Sequence, residues 1–105
     1  MGVFMNKKSD KYFDLLKNDE TIVMNFLKAK FPVFHNSNFF FRDFQFGIQK
    51  FLEKKGIEIT YSDAEELANR LSKHYQDRGL FITVNSGTWK VNFPEFMTKE
   101  PGDPF

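Results

Sequence analysis

The sequence contains no cysteine among its 105 residues, which excludes a disulfide scaffold, a thiolate zinc site and a cysteine nucleophile. No apolar run approaches the ~20 residues that a membrane-spanning helix needs, and the first residues lack the apolar segment of a signal peptide. These absences favour a soluble protein of the cytoplasm without a membrane partner.

Motifs that carry catalysis are also missing. The six glycines are scattered and form no phosphate-binding loop, and no HExxH or acid-rich calcium loop occurs. His35 and His74 are far apart in the sequence. Asp63, Glu65 and Glu66 cluster, but acids in the first turn of a helix complement its dipole. We therefore predict no catalytic residue, no metal site, no cofactor and no small-molecule substrate, so that the protein is not an enzyme.

Charges of the two signs nearly cancel, and the formal net charge is +1. Strong nonspecific binding to DNA, which needs a clustered basic surface, is therefore not indicated by the whole sequence. The distribution is uneven, because residues 28–55 hold six basic side chains and only two acidic ones. Aromatic residues are abundant, and the 15 phenylalanines exceed what the core of a small domain obviously needs.

Hydrophobic periodicity and capping residues predict one mostly helical domain over residues 9–97, between a flexible arm over 1–8 and a disordered tail over 98–105. Pro32 ends the second helix, because proline disfavours helical geometry in the residue before it. The predicted elements are, in order, a helix over 9–16, a helix over 20–31, a helix over 39–55, a short strand over 57–61, a helix over 62–78 and a hairpin of strands 80–84 and 88–93.

Local signals set the predicted ends of the last two helices. Ser37 or Asn38 is expected to cap the helix over 39–55. Ser62 and Glu65 have the spacing of a capping box, in which the hydroxyl accepts from the Glu65 amide and the carboxylate reaches back. Gly79 is expected to end the helix in the left-handed conformation.

Two alternating segments flank Asn85-Ser86-Gly87, whose composition is typical of a turn, and together they predict a β-hairpin. Trp89 is expected in the core, although a tryptophan on a hairpin can also stack on a nucleic-acid base. The apolar face of the hairpin is expected to carry Ile82, Val84, Trp89, Val91 and Phe93.

This order of elements resembles the winged helix-turn-helix superfamily over about residues 20–96. The resemblance rests on the link Gly56–Thr60, the helix Ser62–Arg78, Gly79-Leu80 and the hairpin with Trp89. It implies a winged-helix-like fold, mostly α with a C-terminal β-hairpin, in which the hairpin is the wing and helix 62–78 takes the position of a recognition helix. The pattern is also similar to DEP-type winged helices, which serve membrane and protein docking.

The first functional hypothesis is a non-enzymatic binding module that contacts a protein partner or forms a homodimer. In the predicted helix over 39–55, Phe39 and Phe46 lie opposite the core stripe that contains Phe44 and Ile48. Two exposed phenylalanines need a cover, which is either the N-terminal helix around Phe13, a second copy of the chain or a partner.

The alternative is a nucleic-acid-binding winged helix, such as a transcriptional regulator. A recognition helix contacts bases with its N-terminal residues, and here those residues include three acids that repel phosphates. Basic residues of segment 28–55 are then the better candidates, with weaker contributions from helix 62–78 and the wing. The candidate contacts are Lys28, Lys30, Lys50, Lys54, Lys55, Arg70, Lys73 and Lys90.

Overall fold

The computed structural model describes residues 7–31 and 33–94, and it describes side chains from Asp10 onward. This part of the chain is mostly helical and has a three-stranded antiparallel sheet with strand order β1-β3-β2. The predicted tail over 98–105 lies outside the described residues, as does the predicted arm except for residues 7 and 8, which begin α1. The elements are α1 (Lys7–Asn18), α2 (Glu20–Lys30), β1 (Asn38–Phe40), α3 (Phe41–Lys54), α4 (Tyr61–Asp77), β2 (Phe81–Asn85) and β3 (Thr88–Val91).

The predicted break between the first two helices lies at Asp19, which is the N-cap of α2. The helix ends as expected beside Pro32, and Phe31 adopts the extended backbone that a following proline favours. Helix α2 then packs on α3 at Gly47, where the two helices approach closely. A Cβ atom at Gly47 would overlap Leu27 Cδ2 and lie 3.3 Å from Phe31 Cε2.

The position of the short strand was predicted wrongly. Residues 57–60 form no strand, whereas Asn38–Phe40 form β1 and pair with β3, with Phe39 opposite Trp89. Aromatic residues favour a pleated, half-buried position, and β3 provides the partner strand that residues 57–60 lack. Helix α3 consequently begins at Phe41, with Phe40 as its N-cap and no side-chain capping bond. The Ser37 hydroxyl instead donates to the Phe34 carbonyl at 2.8 Å.

The capping box of α4 also lies two residues earlier than predicted. The Asp63 amide donates to Thr60 Oγ1 at 3.0 Å, and the Thr60 amide donates to Asp63 Oδ2 at 3.5 Å. Ser62 and Glu65 are therefore inside the helix rather than at its cap. The predicted end of the helix is confirmed, because Gly79 has a φ of 78° and its amide donates to the Gln76 carbonyl.

The predicted hairpin is confirmed, and Trp89, Val91 and Phe93 are buried as expected, but Ile82 and Val84 were assigned to the apolar face wrongly. Thr83 lies opposite Trp89 and Phe81 lies opposite Val91, so these residues share the inner face. Ile82 and Val84 alternate with them and lie about half exposed on the outer face. The sequence pattern alone does not set this register, because a one-residue shift exchanges the two faces.

Aromatic rings form the centre of the core, where the sheet packs on α3 and α4. Phe44 is fully buried, and its ring centroid lies 5.2 Å from that of Phe81 and 5.6 Å from that of Trp89. Tyr75 of α4 and Phe39 of β1 also contact the Phe44 ring. The core position predicted for Trp89 is confirmed, since only 5% of its surface is exposed.

Candidate functional site

The two phenylalanines of the predicted interaction surface lie in different environments. Phe39 is 2% exposed, because β1 directs its ring into the core against Phe31, Phe44 and Phe81. Its assignment to an exposed stripe was therefore wrong. Phe46 is 48% exposed on the outer side of α3, as the helical spacing predicted.

The N-terminal helix does not provide the ring contacts described for Phe46. These come from Phe31 at the end of α2, with ring centroids 6.5 Å apart, and from the Lys50 amine. The Phe13 ring of α1 instead lies edge-on to His74 of α4. Phe46 is thus available at the surface of the described chain.

Phe46 borders a cleft of about 250 Å³ between the outer face of α3 and the start of α4. Three of the lining side chains, Arg42, Phe46 and Gln49, follow one face of α3 at the helical spacings of four and three residues. Tyr61, the first residue of α4, is 71% exposed and lines the same cleft. The lining residues are Arg42, Gln45, Phe46, Gln49 and Tyr61.

Two glutamines of α3 donate hydrogen bonds that stabilise the cleft. Gln45 Nε2 donates to the Tyr61 carbonyl at 3.3 Å, and Gln49 Nε2 donates to the Ile59 carbonyl at 3.4 Å. The first bond joins α3 to the first residue of α4, and the second joins α3 to the link that leads into α4. Helix α4 also begins with a capping box at Thr60, the residue before Tyr61. The backbone at Tyr61 is therefore held both by this capping box and by the hydrogen bond from Gln45.

Arg42 is the one charged residue among those that line the cleft. No ion pair is described for its guanidinium within residues 10–31 and 33–94. The neighbouring Lys50 amine lies 5.3 Å from the centroid of the Phe46 ring and 3.3 Å from Glu53 Oε1. The cleft thus combines two exposed aromatic walls with a positive charge. Sequence analysis identified Phe46 but missed Arg42 and Tyr61, because their proximity depends on how α3 packs against α4.

The lysines proposed as nucleic-acid contacts on α2 and α3 lie largely over phenylalanine rings. Four pairs of Phe at position i and Lys at position i+4 are described: Phe13–Lys17, Phe26–Lys30, Phe46–Lys50 and Phe51–Lys55, with amine-to-centroid distances of 4.8–5.4 Å. Lys55 also pairs with Asp19 at 3.8 Å. Lys28 and Lys54 are exposed on the same helices. A lysine in such a pair covers apolar surface as well as carrying charge.

The other three candidate contacts lie on different parts of the fold. Arg70 of α4 pairs with Asp10 of α1 at 2.8 Å and lies over the Phe13 ring. Lys90 lies on the outer face of the sheet between Asn38 and Ile82. Lys73 lines a groove of about 440 Å³ between α4 and the hairpin. The structure therefore distributes the eight candidates over α2–α3, α4 and β3 rather than along one element.

The groove between α4 and the hairpin is lined mostly by polar residues. Its only charged lining residues are Glu65 and Lys73, and its aromatic residues are Phe41 and Trp89. The remaining lining residues are amides, small hydroxyl residues and a glycine: Asn69, Ser72, Gln76, Thr83, Asn85, Ser86 and Gly87. This groove has no net charge to attract phosphates, and sequence analysis missed it because it forms only when the hairpin folds over α4.

Tyr75 carries a polar group inside the core. Within the described part of the chain its hydroxyl is buried without a hydrogen-bond partner. Burial raises the pKa of Tyr75, the Glu20 carboxylate raises it further, and Arg78 acts in the opposite direction. The hydroxyl therefore stays protonated, and the ring serves the aromatic core.

Neither a metal site nor a membrane span is visible in the residues that the structure describes. Groups of three or more histidine, aspartate or glutamate side chains with the geometry to hold a metal ion do not occur there. The described helices are too short or too polar to cross a bilayer. Comparisons with protein-family models, with curated proteins and with solved structures find no match.

Weak, salt-sensitive binding is expected when the protein is titrated into a labelled 20-base-pair duplex. We expect a Kd no tighter than about 1–100 µM at physiological salt, because basic residues are dispersed and several cover rings. Replacing Lys50, Lys54 and Lys55 by alanine should weaken binding more than replacing Arg70 and Lys73. Fluorescence anisotropy across a salt series measures both effects. Tight, sequence-specific binding that Arg70→Ala abolishes would contradict this expectation.

Proposed function

We propose that the chain is a winged-helix domain of the cytoplasm that acts as a non-enzymatic protein-interaction module. In this proposal the hairpin β2–β3 is the wing and α4 takes the position of the recognition helix. The order of the helices and the pairing of the hairpin with a third strand support the architecture. The absence of cysteine and of catalytic motifs supports a cytoplasmic binding role.

The observation that carries the proposed function is the cleft that Arg42, Phe46 and Tyr61 line. Aromatic residues and arginine are enriched in protein interfaces, and tyrosine and arginine contribute a large share of hot spots. Phe46 and Tyr61 are both large and solvent-exposed, which is unfavourable on a surface that remains in water. A protein surface that buries both rings and pairs with Arg42 removes this cost.

Nucleic-acid binding is the less favoured function, because α4 is poorly suited to meet phosphates. Its first turns carry Asp63, Glu65 and Glu66, and Asp63 is committed to the capping box. Arg70 is paired with Asp10 of α1. The recognition-helix position thus presents acidic and paired groups, whereas DNA readers direct basic and polar side chains into the groove.

Site-specific photocrosslinking in the source cell tests the proposed function. Tyr61 is replaced by the photoreactive p-benzoylphenylalanine, which keeps an aromatic ring at an exposed position. The matched control carries the same group at Ile22, an apolar residue of α2 that is 56% exposed. We expect protein adducts at position 61 in clear excess over position 22, and we expect Phe46→Ala to reduce them.

Two results would contradict the proposed function. Equal adduct yields at positions 61 and 22 would show that the cleft has no specific partner. Adducts that nuclease treatment removes, with no protein adduct remaining, would show that nucleic acid occupies the site. Unchanged circular dichroism and melting temperature of both photoreactive variants show that the fold is intact, so that either result reports on binding.

A further inference from the structure

We infer that the cleft beside Phe46 binds a peptide segment in which an acidic residue lies next to a large apolar side chain. This inference rests on the proposed function and adds the chemistry of the partner. It follows from three features of the cleft: its charge, its apolar walls and its size.

The charge of the cleft selects a carboxylate. Arg42 is its one charged lining residue, and residues 10–31 and 33–94 provide no acidic partner for the guanidinium. A guanidinium presents a planar set of donors that matches a carboxylate in a two-bond geometry. The Lys50 amine lies beside the Phe46 ring and adds positive potential, although Glu53 offsets part of it.

The walls of the cleft select an apolar neighbour. The Phe46 ring is about half exposed and the Tyr61 ring is more exposed still, and both line the same space as Arg42. A large apolar side chain between the two rings removes apolar surface from water on both partners. A carboxylate without an apolar neighbour would leave both rings exposed to water.

The size of the cleft and its glutamines favour a short peptide segment. A volume of about 250 Å³ lies below the range typical of drug-sized ligand pockets, so it suits one large side chain with its flanking groups. The Nε2 atoms of Gln45 and Gln49 already donate to the backbone carbonyls of Tyr61 and Ile59. Gln49, which is partly exposed, therefore keeps its amide oxygen as an acceptor for a peptide N–H group.

A peptide double-mutant cycle tests the inference. The probe is a fluorescein-labelled octapeptide with Glu-Phe at its centre and glycine and serine elsewhere, and its binding to the full chain is followed by anisotropy. Arg42→Gln should weaken binding about tenfold. Replacing the peptide Glu by Gln should weaken binding to the parent by a similar factor but have little effect on the Arg42→Gln variant. Lys54→Gln, an exposed change on the same helix, is the matched control and should leave the Kd within about twofold.

A charge exchange gives a second measurement. Arg42→Glu should abolish binding of the Glu-Phe peptide and bind a Lys-Phe peptide instead. Because Arg42 is exposed, all three protein variants should keep the parental melting temperature. Equal loss in Arg42→Gln and Lys54→Gln, or equal binding of Glu-Phe and Gln-Phe peptides, would overturn the inference. If photocrosslinking at Tyr61 still yields protein adducts in that case, the proposed function stands and only the partner chemistry is wrong.

Discussion

Replacing Phe44 by alanine is expected to lower the free energy of unfolding by about 3–5 kcal/mol. The Phe44 ring has no exposed surface, and it contacts the rings of Phe39, Tyr75, Phe81 and Trp89 at centroid distances of 5.2–6.0 Å. These rings come from α4 and all three strands, so the cavity left by alanine would loosen the joint between the helices and the sheet. In a small domain this loss is a large part of the total stability.

Urea denaturation followed by circular dichroism measures the change, and Phe46→Ala is its matched control. Phe46 has the same side chain on the same helix only two residues away, but it is about half exposed. Its truncation should cost less than about 1 kcal/mol. Similar costs for the two variants would show that the Phe44 ring does not occupy the core as described.

The second large effect is expected for Gly47→Leu, which should cost roughly 2–3 kcal/mol. Glycine normally weakens a helix by about 1 kcal/mol relative to alanine, so a larger residue at position 47 would help an isolated helix. Here even a Cβ atom overlaps Leu27 Cδ2, and the whole leucine side chain proposed at position 47 must fit beside Leu27, which is fully buried. Overpacking between α2 and α3 therefore outweighs the gain in helix propensity.

Two comparisons separate overpacking from other causes. Glu53→Leu, an exposed change on the same helix, should stay within about 0.5 kcal/mol of the parent. In a Leu27→Ala background, Gly47→Leu should cost much less, because the new side chain occupies the space that Leu27 leaves. A Gly47→Leu variant as stable as the parent would show that α2 and α3 do not approach closely at this residue.

The parts of the fold that the sequence predicted correctly depend on local signals. The break at Asp19, the stop at Gly79 and the turn at Ser86-Gly87 each follow from a few neighbouring residues. Capping residues and positive-φ glycines act within one turn of the chain, so their meaning does not depend on distant contacts. Trp89 was assigned to the core for a similar reason, since a lone tryptophan on an alternating hairpin face is usually buried.

The parts that were predicted wrongly depend on pairing between distant segments. Helical periodicity that is valid for Phe41–Lys54 was extended backwards to Phe39 and Phe40, which instead pair with β3 in the sheet. For the same reason Phe39 was placed on an outer stripe, although strand geometry directs its ring inward. The register of the hairpin includes an irregularity between Thr83 and Asn85 that no local pattern reveals.

The candidate site was predicted only in part, and for a related reason. Spacing within α3 correctly placed Phe46 on the outer side of the helix. Tyr61 lines the cleft because α4 packs on α3 and because α4 begins at a capping box at Thr60 rather than at Ser62. Arg42 was counted only as part of a basic segment, because its position beside two aromatic rings is a property of the assembled surface.

In this phenylalanine-rich protein, the Phe–Lys pairs give lysine side chains a second role, because each of them lies over an aromatic ring as well as carrying charge. An amine one helical turn later lies 4.8–5.4 Å from the centroid of each of the rings at Phe13, Phe26, Phe46 and Phe51. Acetylation of these lysines would remove the cation that holds each chain over its ring, in addition to lowering the net charge. Modification of these lysines is therefore expected to affect association between molecules in two ways, through the change in charge and through the apolar ring surface that the lysine chains no longer cover. Amine-reactive labelling, a routine step in biophysical work, is therefore expected to change the surface hydrophobicity of this protein as well as its charge.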